Sequence, residues 1–172
     1  MNIEYTFKSG RLYAEGNERL RYKIRVPHIE GLEAINNLCD ALVQECEIFC
    51  RDKLLDGDVG KRLKNGVRYN YSLDWIVTHI DSEVIGTVIA VRLRGGGESV
   101  IESFYASNFA VRDGMLIPPR DIIRAYRKKG QGAFDKGSFF LNNGELECLD
   151  GNAVKRLLAS LKQTCVKNGA GF

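Results

Sequence analysis

Along residues 2–8 apolar and polar positions alternate, with Ile3, Tyr5 and Phe7 on one side and Asn2, Glu4 and Lys8 mostly on the other. A period of two is that of a half-buried strand. Residues 20–26 repeat it, with Leu20, Tyr22, Ile24 and Val26 inward and Arg21, Lys23 and Arg25 outward. Ser9-Gly10 and Gly16-Asn17 mark turns, and Pro27 is expected to end the second strand because it has no N–H to donate. The period then changes. Over residues 31–55, Leu32, Ile35, Cys39, Leu42, Val43, Cys46 and Cys50 fall in one stripe at about 100° per residue. That pattern predicts a long helix with one apolar face, which should lie across a sheet.

Residues 56–67 are rich in glycine and charge and read as a loop. Three strand-like runs follow, at 68–80, 83–93 and 99–111. The middle run is β-branched and nearly continuous, as a central strand would be. Asp81-Ser82 and Gly95-Gly96-Gly97 are short connections, so these strands should pair antiparallel. Asp113-Gly114 makes a hairpin turn, Met115 to Ile117 return briefly, and Pro118-Pro119 stops them. A helix is predicted over 120–129, a loop over 130–137, and a hairpin over 139–149 around Asn143-Gly144. The last helix should have Asn152 as N-cap and Gly169 just past its end, with Val154, Leu157, Leu158, Leu161 and Cys165 as its stripe. The expected fold class is α+β: a mainly antiparallel twisted sheet covered by one long helix, with two further helices. The expected organisation is a single domain over 1–172, with 1–67 and 68–172 as its lobes if it has any.

Composition narrows the class without naming a function. The chain has 172 residues, 44% hydrophobic and 27% charged, enough for a core without staples. Its net charge of +3 is too small to imply nucleic acid by itself. The cysteines are Cys39, Cys46, Cys50, Cys148 and Cys165, an odd number with no Cys-x-x-Cys pair. Reduced thiols are therefore expected. There is no basic-then-apolar leader and no apolar run near the ~20 residues a bilayer span needs. A cytoplasmic location is expected for the chain as it stands, and an extracytoplasmic one if residues are missing upstream.

Candidate chemistry is sparse. The run Arg94, Gly95, Gly96, Gly97, Glu98 offers bare backbone N–H groups that could approach a ligand, but it lacks the Lys-Ser/Thr of a phosphate-binding loop. A β-turn is the simpler reading. Cys39, Cys46 and Cys50 share a helix face with the leucines, so they read as core rather than as metal ligands. His28 and His79 have no partner at a catalytic spacing. Lys61-Arg62-Leu63-Lys64 and the set Arg120, Arg124, Arg127, Lys128 and Lys129 could meet phosphates, yet lack interleaved aromatics. Tyr105 alternates with Phe104 and should remain on an outer face.

The order of these pieces resembles the RsiV-like extracytoplasmic domain of bacterial anti-sigma factors, found also in the non-catalytic part of some peptidoglycan deacetylases. Pro27 to Leu32 followed by Ile35-Asn36 resembles that family's entry into its long helix. Gly95-Gly96-Gly97 before Phe104 to Phe109 is similar to its glycine turn and aromatic strand, and residues 109–123 to its hairpin-then-helix signature. Phe139-Phe140-Leu141 with Asn143-Gly144 resembles the later hairpin. Here Glu98-Ser99 stand where the family commonly continues Gly-Ala-His after its glycine turn. The resemblance implies an α+β fold that binds a protein or a cell-wall glycan and has no active site of its own.

The expected function is thus a non-catalytic binding module for a protein or glycan, with no cofactor, metal or membrane span. Arg94, Gly95, Gly96, Gly97, Glu98 and Tyr105 are its candidate contacts. A nucleic-acid-associated protein using Arg62, Lys64, Arg124, Arg127 and Lys128 is the alternative. An enzyme built on His28, His79 and carboxylates is the least favoured.

Overall fold

The computed structural model describes residues 1–128 and 139–167, with side chains for 1–125 and 139–159. Its first elements are two long strands, β1 (Ile3–Ala14) and β2 (Asn17–Ile29), paired antiparallel. They are followed by helix α1 (Glu33–Phe49), which continues into a π-helical turn over Cys50–Leu55. A five-residue helix, α2 (Asp58–Arg62), occupies part of the expected loop. Three strands come next: β3 (Tyr69–Ile80), β4 (Val84–Gly95) and β5 (Glu98–Ala110). The rest is α3 (Pro119–Lys128), the hairpin β6 (Phe139–Asn142) and β7 (Glu145–Cys148), and α4 (Gly151–Lys167).

The fold is α+β, with a five-stranded mixed sheet in the order β1-β2-β3-β4-β5 and a separate two-stranded hairpin. The expectation of a mainly antiparallel sheet beneath a long helix holds. The exception is β2 with β3, which run parallel. A parallel neighbour needs a crossover connection, and α1 with its π turn supplies it.

The chain divides into two compact units, one comprising 1–76 with 89–103 and the other 77–88 with 104–172. In the first unit the even positions of β2 face α1: Leu20, Ile24 and Val26 are buried, and the Tyr22 hydroxyl donates to Glu47 of α1 at 2.6 Å. On β3 the register partners Tyr69, Tyr71 and Leu73 are buried, as is Trp75. From α1 and the π turn come Ile35, Cys39, Cys46, Cys50 and Leu54, all buried. Leu42 and Val43 are only half-buried, at the margin of the predicted stripe.

Two details of this unit correct the sequence reading. Pro27 does not end β2, which continues to Ile29. Glu30 donates to Asn2, so even positions of β2 donate to β1 and the nitrogen of Pro27 points the other way. The β3 pairing has already stopped there, at Arg25 with Asp74. The next odd position, Ile29, is served by the side-chain amide of Asn36, which accepts from its N–H at 2.8 Å and donates to its carbonyl at 2.9 Å. Asn36 thus acts as a one-residue neighbouring strand and fixes α1 to the end of β2. On β1, Ile3 and Tyr5 are half-buried as expected, but Phe7 departs from the pattern. Phe7 is 50% exposed, whereas Lys8 reaches Glu47 on α1.

In the second unit the buried parity of β3 changes from odd to even, with Thr78 buried and Val77 half-buried. Its core comprises Ile85, Val88, Phe109, Ile122, Phe140, Leu141, Val154 and Leu158. The Asn143-Gly144 turn has both residues at positive φ, 50° and 83°, as a two-residue hairpin turn requires. The return after Asp113-Gly114 is a single bridge, Phe109 to Leu116. The N-cap of α4 is Asp150, whose carboxylate accepts from the Ala153 N–H at 2.6 Å, and not Asn152. The expected loop 130–137 and the Gly169 position lie outside the described residues, as do the side chains of Arg127, Lys128, Leu161 and Cys165.

Candidate binding face

Helix α1 covers only one face of the β2–β3 pair. The odd positions of β2, the even positions of β3 and their β1 partners form the other face, and register places them in rows. Phe7 aligns with Arg25 and Asp74, Ser9 with Lys23 and Ser72, and Arg11 with Arg21 and Asn70. Four cations and one carboxylate therefore occupy a grid of nine positions on three strands.

The first row is the most buried. Arg25 is 3% exposed, its Nε 2.9 Å from Asp74 Oδ1. That nitrogen is out of line for a hydrogen bond, so the contact is an ion pair without one. The Arg25 guanidinium lies 5.2 Å from the Tyr5 ring centre, and Lys23 Nζ lies 5.1 Å from that of Phe7. Such cation–π contacts hold long cationic side chains flat against the sheet. From Asp74 the charges continue across the sheet: Arg92 at 3.9 Å, then Glu102 at 3.2 Å, then Arg94 to Glu102 at 3.9 Å.

The second and third rows border an open concavity of about 490 Å³, lined by Ser9, Arg11, Arg21, Lys23, Asn70 and Ser72 together with Gly10, Tyr22 and Tyr71. Beside it stands Glu18, which faces three guanidinium groups. It is bonded to Arg21, lies 3.0 Å from Arg68, and is 3.7 Å from Arg11. The Arg21 hydrogen bond and the surrounding cations hold its carboxyl below the ordinary range. Among the described residues, this corner sets three guanidinium groups against one carboxylate.

The residues singled out from sequence fall as follows. Gly96 and Gly97, at φ 60° and 84°, form the two-residue turn between β4 and β5. Gly95 packs under the Tyr69 ring, which any Cβ there would strike. Arg94 is exposed and joins the charge ladder through Glu102, while Glu98 pairs with Lys64 at 3.6 Å. The turn is thus built for chain reversal and for Tyr69, and Arg94 alone connects it to the grid. Tyr105, seven positions further along β5, belongs to the second unit and is 56% exposed.

Of the alternative basic set, Arg62 and Lys64 are exposed in the first unit, and Arg124 in the second pairs with Asp121 at 3.6 Å. His28, exposed on β2, sits opposite Glu4 in the first unit. His79 Nε2 lies 2.9 Å from Asp81 in the second. Asp81 also accepts the Glu83 and Val84 N–H groups, closing the β3–β4 turn. Partial burial would raise its pKa, but the His79 bond and these two donors outweigh that and bring it down to about 2. Burial pushes the Cys39 and Cys50 thiols up to about 12 and raises that of Cys46, so all three remain protonated packing groups. Among the described residues no three His, Cys, Asp or Glu side chains are placed to share a metal ion. No helix among them is long and apolar enough to cross a membrane.

Sequence reasoning placed Arg21, Lys23 and Arg25 outward but did not read them as a site. Their alternation on one strand was the available signal. Their partners Ser72, Asp74 and Arg92 come from strands whose alignment is not local in sequence. No family model matches the chain, and no curated protein matches it.

Proposed function

We propose that the protein is a non-catalytic binding module that engages a glycan or protein partner through the open face of its first unit. The observation that carries this reading is the contrast between the two faces of one sheet. One face is covered by α1, while the other displays the accessible cations Arg11 and Lys23, the hydroxyls of Ser9 and Ser72 and the half-exposed Phe7 ring. A flat, polar, cation-rich surface of this kind suits directional contacts, which give specificity. The resemblance to RsiV-like domains points the same way, since it implies binding without chemistry. Arg94 extends the surface along the charge ladder, and Glu98 is a secondary contact; Tyr105, exposed on the second unit, is a separate candidate contact.

The test is capture from a cell lysate and a wall fraction by the purified protein, beside a variant reversed at two face positions, Lys23→Glu with Arg94→Glu. Capture of one protein or one glycan by the wild type, lost in the variant, is expected. Equal capture by both would remove the open face from the function. Tyr105→Ala is expected to weaken capture while leaving the thermal midpoint unchanged. Release of a chemically altered glycan after incubation would contradict the non-catalytic reading.

A further inference from the structure

Within the open face, the concavity has a composition of its own. It is bordered by Lys23, Arg11 and Arg21, with the Ser9 and Ser72 hydroxyls and the Asn70 amide between them. Glu18 orients Arg21 and draws Arg11 toward it, yet it already serves Arg68 as well. Two aligned rows thus hold three cations, two of which, Arg11 and Arg21, share the Glu18 carboxylate with Arg68. An oxyanion placed between the rows would find guanidinium and ammonium donors from two strands, already held in position. Charge-assisted bonds to such groups are the strong class of hydrogen bond.

The neighbouring rings indicate what carries that oxyanion. Nucleic-acid platforms offer open aromatic faces on which bases stack. Here Lys23 lies over Phe7 and Arg25 over Tyr5, so those ring faces already hold cations. Tyr22 and Tyr71 also line the concavity but turn their hydroxyls to Glu47 and Cys46 of α1, so between its charges it presents the Ser9 and Ser72 hydroxyls and the Asn70 amide, groups that pair with sugar hydroxyls. We infer that this concavity binds an oxyanion carried on a saccharide chain, whether a uronate carboxylate, a sulfate or a phosphate. The inference rests on the reading of the open face as the binding surface, and it adds the ligand class and the residues that recognise it.

The test titrates the whole protein calorimetrically with a heparin-derived hexasaccharide, a neutral chitin hexasaccharide, and a single-stranded oligonucleotide of matching charge. Binding of the acidic hexasaccharide is expected, falling about tenfold in Lys23→Gln and again in Arg11→Gln, the scale of one charge-assisted hydrogen bond. Lys61→Gln removes the same charge from an exposed site on α2 and is expected to change nothing. An equal loss in Lys61→Gln would mean diffuse charge attraction and overturn the site. Stronger binding of the oligonucleotide, with the same sensitivity to Lys23 and Arg11, would overturn the saccharide assignment. Equal binding of neutral and acidic sugars, indifferent to both variants, would remove the oxyanion site while leaving the open-face reading intact. Silence toward all three ligands at millimolar concentration overturns the inference, whereas partner capture that depends on the face would still support the broader reading.

Discussion

At the scale of single residues, the open face is anchored by Arg25 and Asp74. Arg25 is almost wholly buried and Asp74 is its nearest carboxylate. Removing the acid alone strands a buried cation. Asp74→Asn is therefore expected to cost roughly 3 kcal/mol, near the low end for breaking a buried pair. Replacing both partners by leucine should recover much of that loss, because the desolvation cost disappears with the charges. Urea unfolding of the single and double variants checks both statements. Asp81 gives a pH signature. Its folded pKa, about 2, lies below the ordinary 3.8. It therefore contributes stability above pH ~4, and that contribution fades as pH falls toward ~2. Asp81→Asn should flatten this part of the acid-unfolding curve, and an unchanged curve would contradict the assignment.

At the scale of elements, the join between β2 and α1 rests on one side chain. Asn36 satisfies both backbone groups of Ile29, a buried residue. Asn36→Ala leaves the Ile29 N–H without its acceptor, while the carbonyl keeps the Leu32 N–H at 3.1 Å, and should cost about 1–3 kcal/mol. Asn36→Asp keeps that acceptor and loses the amide donor. Amide exchange at Ile29 should rise in Asn36→Ala and stay near the wild-type rate in Asn36→Asp, and a protected Ile29 in Asn36→Ala would show that the join does not depend on Asn36. The long helix and the Asn143-Gly144 hairpin were legible beforehand because period and turn chemistry are local. The π turn at Cys50–Leu55 and the short α2 were not, since neither has a period of its own. Nor was the full length of β1, whose later positions, from Ser9 to Ala14, include turn-like residues held extended by pairing with β2. Within the candidate site, the cations of β2 were visible as a set on one side of the strand, but Arg25, expected outward, is buried between Asp74 and the Tyr5 ring, a setting that local pattern does not record. The glycine turn was visible too, but Gly95 owes its identity to the Tyr69 ring, a neighbour distant in sequence.

At the scale of the whole molecule, the two compact units share β3, β4 and β5, each of which contributes residues to both. Neither unit is a continuous stretch of chain. A fragment ending at residue 76 lacks the 89–103 part of its own unit and is expected not to fold, giving neither a cooperative thermal transition nor dispersed amide resonances. A folded fragment would show that β1, β2, α1 and the start of β3 suffice alone. This arrangement also explains a feature of β3 that alternation could not display. Tyr69, Tyr71, Leu73 and Trp75 are buried on odd positions, then Ile76 and Thr78 on even ones. Period alone assigns residues to one side or the other, and both sides here carry apolar groups. The amino-acid sequence by itself determined the α+β class, the principal helix, the Asn143-Gly144 hairpin and the shared side of Arg21, Lys23 and Arg25 on β2, because each depends on neighbours a few residues away. Only the tertiary structure decided the parallel alignment of β2 with β3, the rows that bring Ser72 and Asp74 beside those cations, and the burial of Arg25, which alternation had placed outward. Those depend on pairing across the α1 crossover and on what covers each face, and neither is recorded in local pattern.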